Sequence, residues 1–520
     1  MFRGDAFDRF PHRSLMEPLE RRTLLSVAVG TNFRGLVFSD TLGAVPPDTN
    51  LAVGPQQVLE LVNNNIAVYS KSGSLIAQAS LYDALAALSP SLILTDPQVT
   101  YDDQAGRFVI GVLDIDPFAE HSALDLAVSR SSDLTQGFSE VHKISLDESI
   151  PPSPLHPNGE SLFGDFPRLG WNAQSYCFTF NMFPFPISAT EADVEQVQII
   201  TIDKSSVLDN DPATLSVYHS DRVAEYNMVP VVQHDAAPGA PIVFASQIVA
   251  EEGGGAPAHT GYIRFTVGSN LLSNSPAFDE FTTVVPSSDL APDETTPPAT
   301  QPGGLAIATN DPRILTAVSR SNHLVITQVI GDYNGISGPM VRWMDLSAAD
   351  FSVHQLGTIN PPSGSGTYFP AAEIAPNGDI GITFMQSGPD ELMSTYFTGR
   401  KSSDPLGTLQ APRRVKAGEA IYNSVLETPP FRAGDFAGIS VDPINGSFWF
   451  ANEYATRPFN PGQSLANWGT WIGNAVVTGR LVLTPVAPPV RASSLGIHPT
   501  RAPVRAVRIE VLEIVPPAEG

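Results

Sequence analysis

The chain has 520 residues, a formal net charge of −25, 47 prolines, 41 glycines and one cysteine. That length exceeds one ordinary core, so a repetitive or barrel-like fold is expected. The charge argues against nucleic acid and anionic lipid as partners, and the lone Cys177 excludes an intramolecular disulfide and a thiolate metal cluster.

At the N-terminus Arg3, Arg9, Arg13, Arg21 and Arg22 precede a short apolar stretch, residues 24–29. The apolar part is shorter than that of an ordinary signal peptide. The spacing E-x-L-E-x-R-x-L-L-S, here Glu17, Leu19, Glu20, Arg22, Leu24, Leu25 and Ser26, resembles the LEPR-XLL leader of secreted planctomycete proteins, with Arg21 where that family has proline. The resemblance implies export, to the cell surface or beyond it. Residues 1–30 are therefore assigned to a leader, residues 31–485 to the folded domain and residues 486–520 to a Pro-rich tail. The tail's apolar run "VRIEVLEIV" suits an edge strand or a contact. No run of about 18 apolar residues exists, so no transmembrane segment is expected.

Between leader and tail, one grammar recurs seven times. A short strand of small and apolar residues is followed by a turn of Gly, Pro, Asn and Asp, and then by a stronger apolar strand. The copies are "DTNLAVGPQQVLELVNN" from Asp48, "DPQVTYDDQAGRFVIGVLD" from Asp96, "FPRLGWNAQSYCFTFN" from Phe166, "VPVVQHDAAPGAPIVFASQ" from Val229, "GGLAIATNDPRILTAVSR" from Gly303, "FPAAEIAPNGDIGITFMQ" from Phe369 and "FAGISVDPINGSFWFANEY" from Phe436. Each reads as a β-hairpin. A third strand follows, as in "LDLAVSRSSDL" or "YIRFTVGSNLL", and a more variable fourth, as in "TLSVYHS" or "FDEFTTVV". Four antiparallel strands repeated seven times predict an all-β, seven-bladed β-propeller. The small residues of each first strand fit the crowding around an axis. The ring closes either through residues 33–39, "FRGLVFS", or within the last blade through "GRLVLTPV" from Gly479. Two β-sandwich domains are the competing fold.

The phrases "PPDTNLAVGP", "GDFPRLGWN" and "GDFAGISVDPINGSFWFANEY" resemble those of uncharacterised secreted bacterial propeller-like proteins. The resemblance covers residues 33–485 and implies the fold, with no reaction attached.

In a propeller, the start of the first strand and the loop after the second share a face. That places Asp48, Asp96, Asp165 and Asp435 on one face, with the long loops. Binding usually resides on long loops of a rigid scaffold. These loops carry Asp116, Glu120, Glu252 and Glu453, and the aromatics Phe185, Tyr454 and Trp468. Two readings follow. The four axial aspartates could hold Ca2+, a hard cation that takes oxygen ligands; alternatively each caps a turn or a strand N–H. The acids and aromatics could instead form a glycan-binding or glycan-cleaving cleft, since glycosidases use paired carboxylates. "SVDPINGSFW" is similar to the Asp-box of sialidase propellers, S-x-D-x-G-x-T-W. It departs from it by the extra residues between Asp442 and Gly446 and by Phe448 before Trp449, and no arginine triad stands at matching blade positions.

H-E-x-x-H, G-x-S-x-G, the P-loop and the dinucleotide fingerprint are absent. The histidines are scattered, with no tight pair, and read mostly as surface residues. The expectation is an exported binding or structural module for an extracellular glycan or protein, with a secreted hydrolase as the alternative.

Overall fold

The computed structural model describes residues 27–478 apart from 42, 153–158, 188–193, 195, 210, 212–213, 224, 249–259, 287–295, 333–335, 425–426 and 458–466. The apolar runs of the hairpins are covered on both faces, as strands between packed sheets must be. Gln57–Val62 and Gly366–Ile374 bury every residue.

Five four-stranded antiparallel sheets stand separately. The first is Asn50–Val53, Gln57–Val62, Asn65–Ser70 and Leu75–Ser80, and the second is Ile93–Asp102, Arg107–Asp116, His121–Ser129 and Phe138–Ser145. The third is Val229–Pro230, Ile242–Ile248, Thr260–Ser269 and Ala277–Pro286, and the fourth is Gly366–Ile374, Ile380–Gly388, Glu391–Arg400 and Arg413–Lys416. The fifth joins Gly438–Val441, Phe448–Ala455 and Trp468–Val477 to Val27–Val37 from the other end of the chain. Two more runs of four share one ten-stranded sheet. These are Glu160–Trp171, Ser175–Pro184, Gln196–Asp203 and Val217–Val223, and Ile314–Arg320, His323–Ile330, Met340–Ser347 and Val353–Ile359. The arrangement is a β-propeller, with mainly antiparallel four-stranded sheets in a ring.

Three sequence expectations are corrected. Seven separate sheets were expected, but two of the runs are fused. The short segment Val232–Gln233 pairs in parallel with Trp171 on one side and with Val318 and Ser319 on the other. The leader was drawn to residue 30, but the closing strand starts at Val27 and runs antiparallel to the last strand, from Val27↔Val477 to Val37↔Gly469. Closure thus uses the N-terminal strand. "GRLVLTPV", the leader motif and the tail lie outside the described residues. Finally, the hairpin assigned from Gly303 is misplaced. The Asn-Asp-Pro at 310–312 imitates its turn, whereas the actual turn is Ser321–Asn322 between the paired Arg320 and His323. Its φ angles of 52° and 64° are those of a two-residue type I′ turn.

Inner strands crowd at the axis. A Cβ on Gly170 would lie 2.3 Å from the Pro230 carbonyl oxygen, and one on Gly438 2.2 Å from the Leu51 nitrogen, so only glycine fits at either position. Three inner strands are also kinked. Their registers slip between Thr95 and Gln98, Asp165 and Arg168, and Tyr368 and Ala371. Each slip holds an X-Pro pair whose first residue has positive φ: Asp96 at 51°, Phe166 at 51° and Phe369 at 46°. Proline offers no N–H to the ladder, so the strand bulges there and re-aims its side chains.

On the face of the short turns, His234 ties the sheets together. Its Nδ1 lies 3.1 Å from Asp103 and its Nε2 3.2 Å from Glu373, and Arg320 donates to Asp103 at 2.9 Å. Buried with a carboxylate at each nitrogen, the imidazole has its pKa raised to about 9; burial opposes the charge and Glu373 and Asp103 outweigh it. The expectation of a surface histidine is corrected here, because the turn folds inward over the channel.

Candidate functional site

A channel of about 100 Å³ runs between the inner strands, lined by Leu51, Val99, Leu169, Ala317, Ala372 and Ile439 among others. The four aspartates placed by sequence at strand starts do not line it, but they interact electrostatically with one another. Asp48 precedes the first sheet, Asp96 sits in a bulge, Asp165 immediately precedes a bulge, and Asp435 precedes the last inner strand. Asp48, Asp96 and Asp435 are each more than nine-tenths buried.

Their mutual repulsion shows how close they lie. The pKa of Asp48 is raised well above the ordinary carboxylate value, first by burial and then by Asp96, Asp435 and Glu453. Asp96 is pushed to about 7, first by burial and then by Asp165 and Asp435. Asp165 is raised by burial and by Asp435, against the Phe166 N–H, Arg313 and Arg432. Hydrogen bonds satisfy only part of the cluster. Asn63 donates to Asp48 Oδ2 at 3.1 Å, Thr95 to Asp96 at 2.8 Å, and Asn310 to Asp435 at 2.7 Å. Asp435 is also paired with Arg432. Asp48 Oδ1 is buried without a partner. The capping alternative therefore fails for Asp48 and Asp435, whose described partners are side chains rather than turn or strand N–H groups: Asn63 for Asp48, and Asn310 and Arg432 for Asp435.

Sequence reasoning missed the arginines. Arg168 is 8 % exposed, its Nε has no hydrogen-bond partner, and its guanidinium carbon lies 5.0 Å from the centre of the Phe436 ring and 5.6 Å from that of Phe166. Burial first, and then the charge of Arg313, lowers its pKa to about 9. Arg313 lies 4.3 Å over Phe166 and is bound to Asp311 at 2.6 Å. With the hairpin at 314–330 placed correctly, "FPRL" at 166–169 and "DPRI" at 311–314 align with "DPQV" at 96–99. Register nevertheless separates the two arginines: Arg168 pairs with Thr179 inside its strand, whereas Arg313 precedes the strand Ile314–Arg320, in which Thr316 pairs with Thr327.

The remaining predicted residues divide. Asp116 caps its own loop, accepting from the N–H groups of Phe118 and Ala119 at 3.0 Å each, and Glu120 is exposed beside it. Glu252 lies outside the described residues. Phe185 is corrected to a core residue, 7 % exposed with its ring 4.9 Å from Phe163. Glu453 is also corrected, because it is fully buried within its strand. Burial drives its pKa to about 8; the nearby Thr49 hydroxyl opposes the rise but stands outside hydrogen-bonding geometry. Tyr454 and Trp468 are buried as well, the indole N–H donating to the Ala44 carbonyl at 2.9 Å. Both nevertheless edge a cleft of about 310 Å³ with Arg34, Lys416, Arg457 and Trp471. The last sheet is covered on both faces here, so both aromatics are buried where the sequence suggested a loop.

The axial aspartates do not converge tightly enough for a single inner coordination shell. Among the described residues the group whose ligand atoms all lie within 4.8 Å of one another is His323, Asp345 and His354, elsewhere in the ring. Cys177 is buried, with its thiol pushed up to about 12 by desolvation.

No family model matches the chain, and no curated protein does. Solved structures that align with it include a protein of unknown function from Dyadobacter fermentans, at 9% identity and a TM-score of 0.27, covering 63% of this chain and 97% of that one. An exo-β-1,3-galactanase from Clostridium thermocellum aligns at 10% identity and a TM-score of 0.30, covering 86% and 100%. A structure from the GH130 family of mannoside phosphorylases, which contains glycoside hydrolases that target β-1,2 mannosidic linkages in Candida mannan, aligns at 9% and 0.28, covering 65% and 94%. All three superpose loosely. The class that the strand order defines is the β-propeller.

Proposed function

We propose that the chain is an exported, seven-bladed propeller that acts as a binding module, and that its ligand presents positive charge to the axial aspartates. Five separate sheets and the two runs within the ten-stranded sheet support the count of seven. The leader-like spacing at residues 17–26 supports export. One observation carries the binding reading: Asp48, Asp96 and Asp435 are buried and repel one another with Asp165 beside them, and Asp48 Oδ1 has no partner. Buried charges are ordinarily paired or bound to a metal, so a cation entering the mouth would relieve the repulsion. The aspartates are spaced too widely for one bare ion, which favours Ca2+ that keeps part of its water, or an organic cation.

The test is a thermal melt at pH 8 with Ca2+ and then with chelator. A ligand that binds only the folded state raises Tm by mass action. Ca2+ is expected to raise Tm reversibly in the wild type and not in Asp96→Asn. If neither Ca2+ nor a small organic ammonium ion moves Tm, the cationic reading is wrong.

A second reading has its own support. Asp96, protonated up to about pH 7, stands near Asp435, which is held by Arg432 and Asn310. Two carboxylates in unlike surroundings are what acid–base hydrolysis of a glycoside needs. Turnover of aryl glycosides that disappears in both Asp96→Asn and Asp435→Asn would favour the hydrolase.

A further inference from the structure

We propose that His323, Asp345 and His354 form a Zn2+ site on the outer part of the sheet run that begins at Ile314. The three residues come from its second, third and fourth strands: His323–Ile330, Met340–Ser347 and Val353–Ile359. Register explains how they meet. His323 pairs with Ser347, and Asp345 pairs with Gln355, so His323 and Asp345 share one face. The next pair is Leu346 with Val353, which leaves His354 as an extra residue in a bulge. A regular strand would turn His354 to the opposite face; the extra residue brings it back beside Asp345.

The distances suit a metal. His323 Nδ1 is 2.8 Å and His354 Nδ1 3.8 Å from Asp345 Oδ1, and the two rings are 5.3 Å apart. A tetrahedral ion with bonds of about 2.0–2.1 Å separates its donors by about 3.3 Å, between the two observed values. Asp345 is 1 % exposed, and Gln355 donates to its other oxygen at 2.7 Å, which fixes the carboxylate's orientation. The histidine side chains are 45 % and 36 % exposed, so an ion has an entry path and a fourth position open to water.

Donor chemistry selects the ion. Two imidazoles and one carboxylate suit Zn2+ among the available divalent ions and do not suit Ca2+ or Mg2+. Two charged groups face the site. Asp350, in the turn before His354, interacts electrostatically with it and adds negative charge. Arg400, from the neighbouring sheet, feels Asp345 and competes with an incoming cation. The net charge of −25 favours the approach of any cation.

The full chain, stripped of metal, is titrated with Zn2+ against a chromophoric chelator, and separately with Co2+ followed by its visible absorption. One equivalent of Zn2+ is expected, with the intense Co2+ bands of a tetrahedral site. His354→Ala removes an exposed ligand and should weaken binding at least tenfold without altering the melt in chelator; His323→Gln repeats the loss by an independent change. His121→Ala, at the exposed pair with Asp147, should leave binding unchanged. The site is refuted by wild-type Zn2+ affinity in both His354→Ala and His323→Gln, or by loss only in His121→Ala.

Discussion

The two ends of the axial channel are built from the same inner strands and carry opposite electrostatic states. At the end of the short turns, His234 finds a carboxylate at each ring nitrogen, and one of these also accepts from Arg320. At the mouth, Asp48, Asp96 and Asp165 share two cations that are already committed, Arg432 to Asp435 and Arg313 to Asp311. Burial is similar at both ends, so pairing alone separates a lock from a receptive site. A satisfied network rigidifies, and an unsatisfied one waits for a partner.

The comparison breaks first, and hardest, at His234. Replacing it with alanine leaves the buried Glu373 without its cation and Asp103 with Arg320 alone. Removing one member of a buried ionic set costs about 3–5 kcal/mol, read by urea unfolding at pH 6. The pH dependence has a definite sign. The folded pKa of about 9 is raised above the free imidazole value of about 6.5. This stabilisation is therefore complete below about pH 6.5 and is lost as pH rises through 9. His234→Ala and wild type should approach each other above that range. A constant difference from pH 6 to pH 10 would show that His234 acts through packing alone.

At the mouth the pH dependence keeps this direction, but the effect of substitution reverses. Asp96 has a folded pKa of about 7 against an unfolded value of about 3.9. The folded state binds the extra proton between these values, so stability falls as pH rises from about 4 to 7 and is level above. Asparagine keeps the acceptor for Thr95 and tolerates the left-handed backbone at this bulge. Asp96→Asn should therefore match wild type at pH 4 and exceed it by about 2 kcal/mol at pH 8, about half of what three pH units would give. Glu60 and Glu453, raised to about 7 and about 8 by burial, add to the wild-type decline and remain in the variant.

How much of this was legible follows from the kinds of signal involved. Hairpins are written locally, in alternation and turn residues, and most were placed correctly. The hairpin at 314–330 was not, because Asn310–Pro312 carries stronger turn chemistry than Ser321–Asn322. The gathering of Asp48, Asp96, Asp165 and Asp435 could be deduced because repeat symmetry brings equivalent positions to one axis. No such symmetry announces His323 and His354, which meet only through a one-residue bulge. Phe185, Glu453, Tyr454 and Trp468 were read as loop residues because sequence alone does not say where a strand ends. Strands here reach into the expected loops, and the last sheet is covered on both faces, so Glu453, Tyr454 and Trp468 are buried whichever way they point, while Phe185 packs on the core just past its strand.

The finest test of the contrast is Arg168. It is a buried cation without a described anionic partner, held against the Phe166 and Phe436 rings, and burial lowers its pKa to about 9. If the mouth awaits a ligand, this charge is retained at a cost to the empty protein. Methionine keeps much of the side-chain volume and removes the desolvated charge. Replacing a buried charge by a packed apolar group is often neutral or stabilising by about 1 kcal/mol or more. Arg168→Met should then melt at or slightly above wild type at pH 7. Arginine also lends positive potential to Asp96, so the gain should shrink at pH 8, where that carboxylate is ionised. A loss of about 3 kcal/mol instead would mean that Arg168 is as fully paired as His234, and the two ends of the channel would then differ in residue type but not in kind.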